Sequence, residues 1–225
     1  MQLPITHHYP IELTCKAEPM VAGFSEGYKQ QSSFESLKSA RLNYLVSAQD
    51  TANLISTIDS ASGVDTFNWL FRPHYTLKQW RVANFTQRIY DDNRLSELSL
   101  DLTEVRTGLP QPIPTGITPL RLVSGAELVP DASPTISRSY LVRSPNLGYF
   151  PDRKPEPLNP KVDKIDFTST LDPDVADSID LLLERCRGVY PLLWRGDTYS
   201  CKDWRIIYQP ESAEISLTLD TLIIP

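Results

Sequence analysis

The chain has 225 residues, 40% hydrophobic and 22% charged, enough for one large domain or for two of about a hundred residues, each with its own core. A formal net charge of −6 gives no long-range attraction to nucleic-acid phosphates or to an anionic lipid surface, which argues against DNA-binding and membrane-surface roles. Three cysteines, Cys15, Cys186 and Cys201, with no C-x-x-C pair, suggest neither a disulfide framework nor a zinc knuckle and read as small apolar fillers.

Pro4, His7, His8, Pro10 and Glu12 interrupt the first twenty residues, so no secretory signal is expected. No apolar stretch approaches the roughly twenty residues that span a bilayer, so a soluble, cytosolically made chain is expected. His7 and His8 point to opposite faces of an extended chain and have no acidic or cysteine partner at ligand spacing. After Gly27-Tyr28, Leu42, Tyr44 and Val46 alternate with Arg41, Asn43 and Leu45, the period of a half-buried strand. A helix over 50–62 follows, with Leu54, Ile55, Ile58 and Ala61 on one face, Asp50 as cap and Gly63 placed to end it.

Trp69 and Trp80 come next, and a hairpin sets Trp80, Val82 and Asn84 against a return strand carrying Leu98, Leu100 and Leu102. Its tip, with Asp91, Asp92 and Asn93, is polar and suits an inter-subunit contact. From 106 to 140, Pro110, Pro112, Pro114, Pro119, Pro130 and Pro134 favour an extended connector. Interspersed apolar residues such as Leu120 and Leu128 suggest that it lies along a neighbouring surface.

Gly148-Tyr149 opens the remainder. Val175, Ile179, Leu182, Leu183 and Cys186 form one helical stripe, with Asp172 as N-cap, Pro173 at the first helical position and Gly188 as C-cap. Asp174 and Asp177 read as complements to the helix dipole rather than as calcium ligands. Trp194 and Trp204 precede a last strand carrying Ile215, Leu217 and Leu219.

The order Gly-Tyr, strand, helix, Trp, Trp and hairpin therefore occurs twice. Trp69 and Trp80 are 11 apart and Trp194 and Trp204 are 10 apart. The return strands read Glu97-Leu98-Ser99-Leu100-Asp101-Leu102 and Glu214-Ile215-Ser216-Leu217-Thr218-Leu219. The expected organisation is two tandem units, 1–105 and 141–225, joined by the 106–140 connector. Counting from Trp80 to Glu97 and from Trp204 to Glu214 gives 17 and 10 positions, so the first hairpin is expected to be the longer arm.

Catalytic constellations are not evident. There is no G-x-S-x-G elbow, H-E-x-x-H, phosphate loop or dinucleotide fingerprint, and only His7, His8 and His74 are available as imidazole bases. A non-enzymatic chain without cofactor or metal is the expectation.

The first unit resembles the lambda-type bacteriophage minor tail protein M family. The resemblance runs from Gly23-Phe24-Ser25-Glu26-Gly27-Tyr28-Lys29-Gln30, through Trp69-Leu70-Phe71-Arg72-Pro73 and Trp80-Arg81-Val82, to Leu102-Thr103-Glu104-Val105. The second unit departs from it: Phe150-Pro151 follows Gly148-Tyr149, and Trp194 has no counterpart of Pro73. The resemblance implies a mainly β fold with flanking helices, two tail-tube-like β-sandwich or split-barrel domains with one helix each. It implies a virion protein that forms a ring at the distal tail or tail tip, around the DNA channel.

The implied partners are further copies of the chain, the tail tube, the tape measure and the tip or hub proteins. Six chains making two stacked rings are favoured over three chains whose units alternate in one pseudo-sixfold ring. The alternative function is a carbohydrate- or receptor-binding module of the tail tip, for which aromatics would cluster in loops.

Overall fold

The structure is a computed structural model that describes residues 8–23, 29–61, 65–69, 78–90, 95–105, 116–122, 124–143, 156–188 and 190–221. The first half contains β1 (His8–Gly23), β2 (Lys29–Ser47), α1 (Ala48–Ala61), β3 (Phe67–Trp69), β4 (Lys78–Ile89) and β5 (Leu95–Val105). After β6 (Thr118–Pro119) come β7 (Thr135–Arg143), β8 (Glu156–Leu171), α2 (Pro173–Cys186), β9 (Leu192–Trp194), β10 (Asp197–Tyr208) and β11 (Ala213–Thr221). Among the described residues the protein is thus mainly β with two helices, as its alternating and stripe patterns indicate.

All eleven described strands belong to one sheet, in the order β3-β4-β5-β2-β1-β10-β11-β8-β7, with β9 on β10 and β6 on β9. Neighbours are antiparallel except β6 and β9. The order repeats: β3-β4-β5-β2-β1 in the first half has its counterpart in β9-β10-β11-β8-β7 in the second. The halves share this sheet and one connected set of buried residues, so the two separately cored tandem domains expected from the sequence are not what the fold shows; the repeat lies in the strand order of one sheet.

Register fixes which residues correspond. Leu42, Leu100 and Phe85 form one row in the first half, and Phe167, Leu217 and Trp204 form the matching row in the second. Both β4 and β10 carry a bulge, between Val82 and Asn84 and between Cys201 and Asp203. The extra residue reverses the inward phase, so beyond the bulge Phe85, not Asn84, continues the inward face.

The matching return strands agree with the sequence reading, but Trp204 corresponds to Phe85, and Trp80 corresponds to Tyr199. The difference in hairpin length shrinks accordingly. From the last paired residue of one strand to the first of the next, Ile89–Ser96 spans seven positions and Tyr208–Ala213 spans five.

The helices occupy corresponding places at the ends of β2 and β8. Buried Thr51, Leu54, Ile58 and Ala61 of α1 match buried Ala176, Ile179, Leu183 and Cys186 of α2. Ser47, rather than Asp50, caps α1: its Oγ accepts from the Asp50 N–H at 3.2 Å and donates to the Asp50 carboxylate at 2.7 Å. Gly63 lies outside the described residues.

In α2, Asp172 accepts from the Asp174 N–H at 2.9 Å and Pro173 begins the helix, as its sequence suggests. The left-handed C-cap is Arg187, one residue before the expected Gly188, and both have positive φ. Val175 and Leu182 are only half-buried, while Asp177 and Asp180 face inward, so the buried stripe is rotated from the expected one.

The described part of the connector lies along the second half, and its last residues, from Thr135, are not connector but the start of β7. The Thr118 and Leu120 N–H groups donate to the Pro191 and Leu193 carbonyls at 2.9 and 2.8 Å, and Leu120 and Leu128 are buried.

Candidate functional site

The halves meet where β1 pairs with β10, with Ile11 opposite Tyr208, Leu13 opposite Ile206 and Cys15 opposite Trp204. All six residues are buried. Alternation sends Glu12, Thr14 and Lys16 to the other face, where Glu12 accepts from Arg205 at 2.8 Å.

Lys38 stands opposite Cys15 on β2 and reaches across the joint into the second half. Its ammonium is fully buried and lies 2.6 Å from the Asp180 carboxylate and 2.8 Å from the Glu184 carboxylate, both on α2. The other Asp180 oxygen accepts from Trp204 Nε1 at 2.8 Å. One turn away, Asp177 accepts from the Tyr208 hydroxyl at 2.7 Å.

These are structural bonds rather than a reactive centre: the ammonium is neutralised by two carboxylates, and the carboxylates are bonded to residues of the same joint. Asp177 therefore holds a core tyrosine, where its position near the start of α2 had suggested only a dipole complement. Lysines are rarely buried without a partner. The sequence clue to this cluster was Asp180, which sits inside the apolar stripe beside Ile179 and Leu183.

Three of the four tryptophans have described side chains, and all three are in the core. Trp80 is fully buried opposite Phe67, Trp204 lies at the joint, and Trp194 stacks on Phe167 with ring centroids 4.8 Å apart. Trp194 Nε1 donates to the Leu128 carbonyl at 2.9 Å, fastening the connector to β9. Trp69 lies in β3 opposite Lys78, as its repeat position requires, and its side chain lies outside the described set. Gly27, Tyr28, Pro73, Asp91, Asp92, Asn93, Gly148 and Tyr149 lie outside the described residues.

The three cysteines are free and buried. Burial pushes the Cys186 thiol up to about 11, and pushes those of Cys15 and Cys201 up further. Such thiols stay protonated and unreactive at neutral pH. Among the described residues no group of three or more His, Cys, Asp or Glu is arranged to hold a metal, and no helix is long and apolar enough to cross a membrane. A groove of about 510 Å³ on the polar face of the second half is lined by Asp166, Thr168, Asp203, Arg205, Ser216 and Thr218. Its Asp166 carboxylate accepts from Thr218 at 2.6 Å and pairs with Lys164 at 3.6 Å.

The remaining feature is a pair of strand edges. Among the described residues no strand pairs with β4 from Arg81 to Ile89 on the side away from β5, or with β7 on the side away from β8. Both edges display apolar residues: Ile89 is 58% exposed and Ile136 is 60% exposed. No family model matches the chain, and no curated protein matches it.

Proposed function

We propose that the chain is a structural minor tail protein of a tailed bacteriophage, built of two tail-tube-like units and assembled into a ring near the tail tip that joins the tube to the tip or hub and surrounds the DNA channel. The observation that carries this reading is the repeated strand order, with its two halves joined edge to edge in one sheet. A protein that already places one unit beside another through strand pairing needs only the same step between chains to form a ring.

The residues from Gly23 to Val105 that resemble the minor tail protein M family support the same assignment. The net charge of −6 suits a conduit, because repulsion of phosphates keeps passing DNA from adhering.

Side-by-side halves favour alternation within a single ring over two stacked rings. Three chains contributing six units is therefore the preferred stoichiometry, in place of the hexamer that the family resemblance alone suggests. The neighbours along the tail axis are the tube, the tape measure and the tip or hub proteins. No sequence-specific DNA contact and no membrane contact are part of the role.

Antibody labelling of purified virions tests the assignment. Label at the distal end of the tail, with density of sixfold or threefold symmetry in averaged images, supports it. Absence of the chain from infectious particles overturns it.

A further inference from the structure

We infer that the outer edge of β7 in one chain pairs antiparallel with the outer edge of β4 in a second copy, in a register copied from the internal β1·β10 joint. The proposal rests on the ring reading for its closure and adds to it the surface and the register. The correspondence between the halves supplies both.

β1 lies on β2 as β7 lies on β8: Leu13 stands opposite Ala40, and Ile136 opposite Ile165, its counterpart. Thus β7 is to the second half what β1 is to the first. By the rows already established, residues 84–89 of β4 correspond to residues 203–208 of β10, the stretch that receives β1. The chain therefore ends laterally in one copy of each partner in its own joint. Transferring the observed pairs places Ile136 of one copy opposite Gln87 of the next, Arg138 opposite Phe85, and Pro134 opposite Ile89.

Exposure at corresponding positions supports this. Leu13, in the joint, is 1% exposed, and its counterpart Ile136 is 60% exposed. Tyr208 is 0% exposed, and its counterpart Ile89 is 58% exposed. Tyr90 and Leu95 beside Ile89 are 40% and 44% exposed, so apolar surface gathers at this end of the first half. A position that is core at the joint and apolar but bare at the edge is what a heterologous contact between copies requires.

The charges of the joint are rearranged at the edges. At the joint Lys38 crosses to Asp180 and Glu184 on α2. On the helix facing the proposed contact, Asp59 occupies the Glu184 position and Ile55 the Asp180 position. On the incoming strands Arg138 stands where Cys15 stands at the joint, beside Asp163 at 2.9 Å in the Lys38 position. Arg138 is already paired with Asp163, so the proposed contact rests on the strand edges and their exposed apolar residues rather than on a copy of the buried ion pair.

Two variants of the full chain that each add one cysteine test the register, Gln87→Cys and Ile136→Cys, with the buried native cysteines as background measured in the unmodified protein. Mild oxidation of an equimolar mixture should give a disulfide-linked dimer containing one chain of each kind. Each variant alone should stay unlinked. A disulfide in either variant alone means that like edges pair and overturns the proposal, as does a mixture that does not link. A ring that persists in virions without this link removes the interface and leaves the functional reading standing. The link in a chain absent from virions does the reverse.

Discussion

Lys38 shows how one residue ties two remote parts of the sequence together. Its ammonium and the Asp180 carboxylate are fully buried 142 positions apart, so neither charge has water to fall back on once its partner is gone. Lys38→Met should lower stability by about 3–5 kcal/mol, and Asp180→Asn by a similar amount. Replacing both, Lys38→Met with Asp180→Leu, should cost less in urea melts than the sum of the single losses, though Trp204 Nε1 and Glu184 are left without these partners; additive losses would show that the charges act separately.

Buried thiols give a pH dependence with a definite sign. The native chain keeps protons that the unfolded chain releases, so this stability is intact below the ordinary thiol value of 9.0 and is lost as pH rises through about 11 for Cys186. The thiols of Cys15 and Cys201 and the Tyr44 hydroxyl are raised further by burial and extend the loss to higher pH. Melting temperature should fall steadily above about pH 9. A flat profile up to pH 11 would mean that these groups are accessible.

Among elements, the helices were the most legible. Asp172, Pro173 and the spacing of Ile179, Leu183 and Cys186 define α2 because caps and apolar spacing are local properties of the chain. Asp172→Ala should therefore cost about 1 kcal/mol, and so should Ser47→Ala at the corresponding cap of α1. Equal losses in denaturant melts would support the match between the helices, whereas no effect of Ser47→Ala would return the capping role to Asp50.

Strand phase was less legible. A bulge adds one residue without a local signature, and for that reason Trp80 and Trp204 looked equivalent when their rows differ. The buried lysine was hidden for a similar reason: its partners lie on a helix far along the chain, and nothing beside Lys38 announces them.

At the scale of the whole molecule, the repeated order of elements was readable because the return strands, the helix positions and Trp69 with Trp194 recur in order. The way the halves join was not, since strand pairing between β1 and β10 depends on register between segments almost two hundred residues apart. That joint is the centre of the account. It pairs one half with the other through a strand edge, and among the described residues two further edges lie at opposite ends of the sheet.

Native mass measurement of the purified chain tests this most directly, with Ile89→Asp and Ile136→Asp as edge variants whose folding is checked by circular dichroism. The account predicts a closed assembly of three chains for the unmodified protein and folded monomers for each variant. A monomer at every concentration, or a two-chain assembly that survives both substitutions, would contradict it.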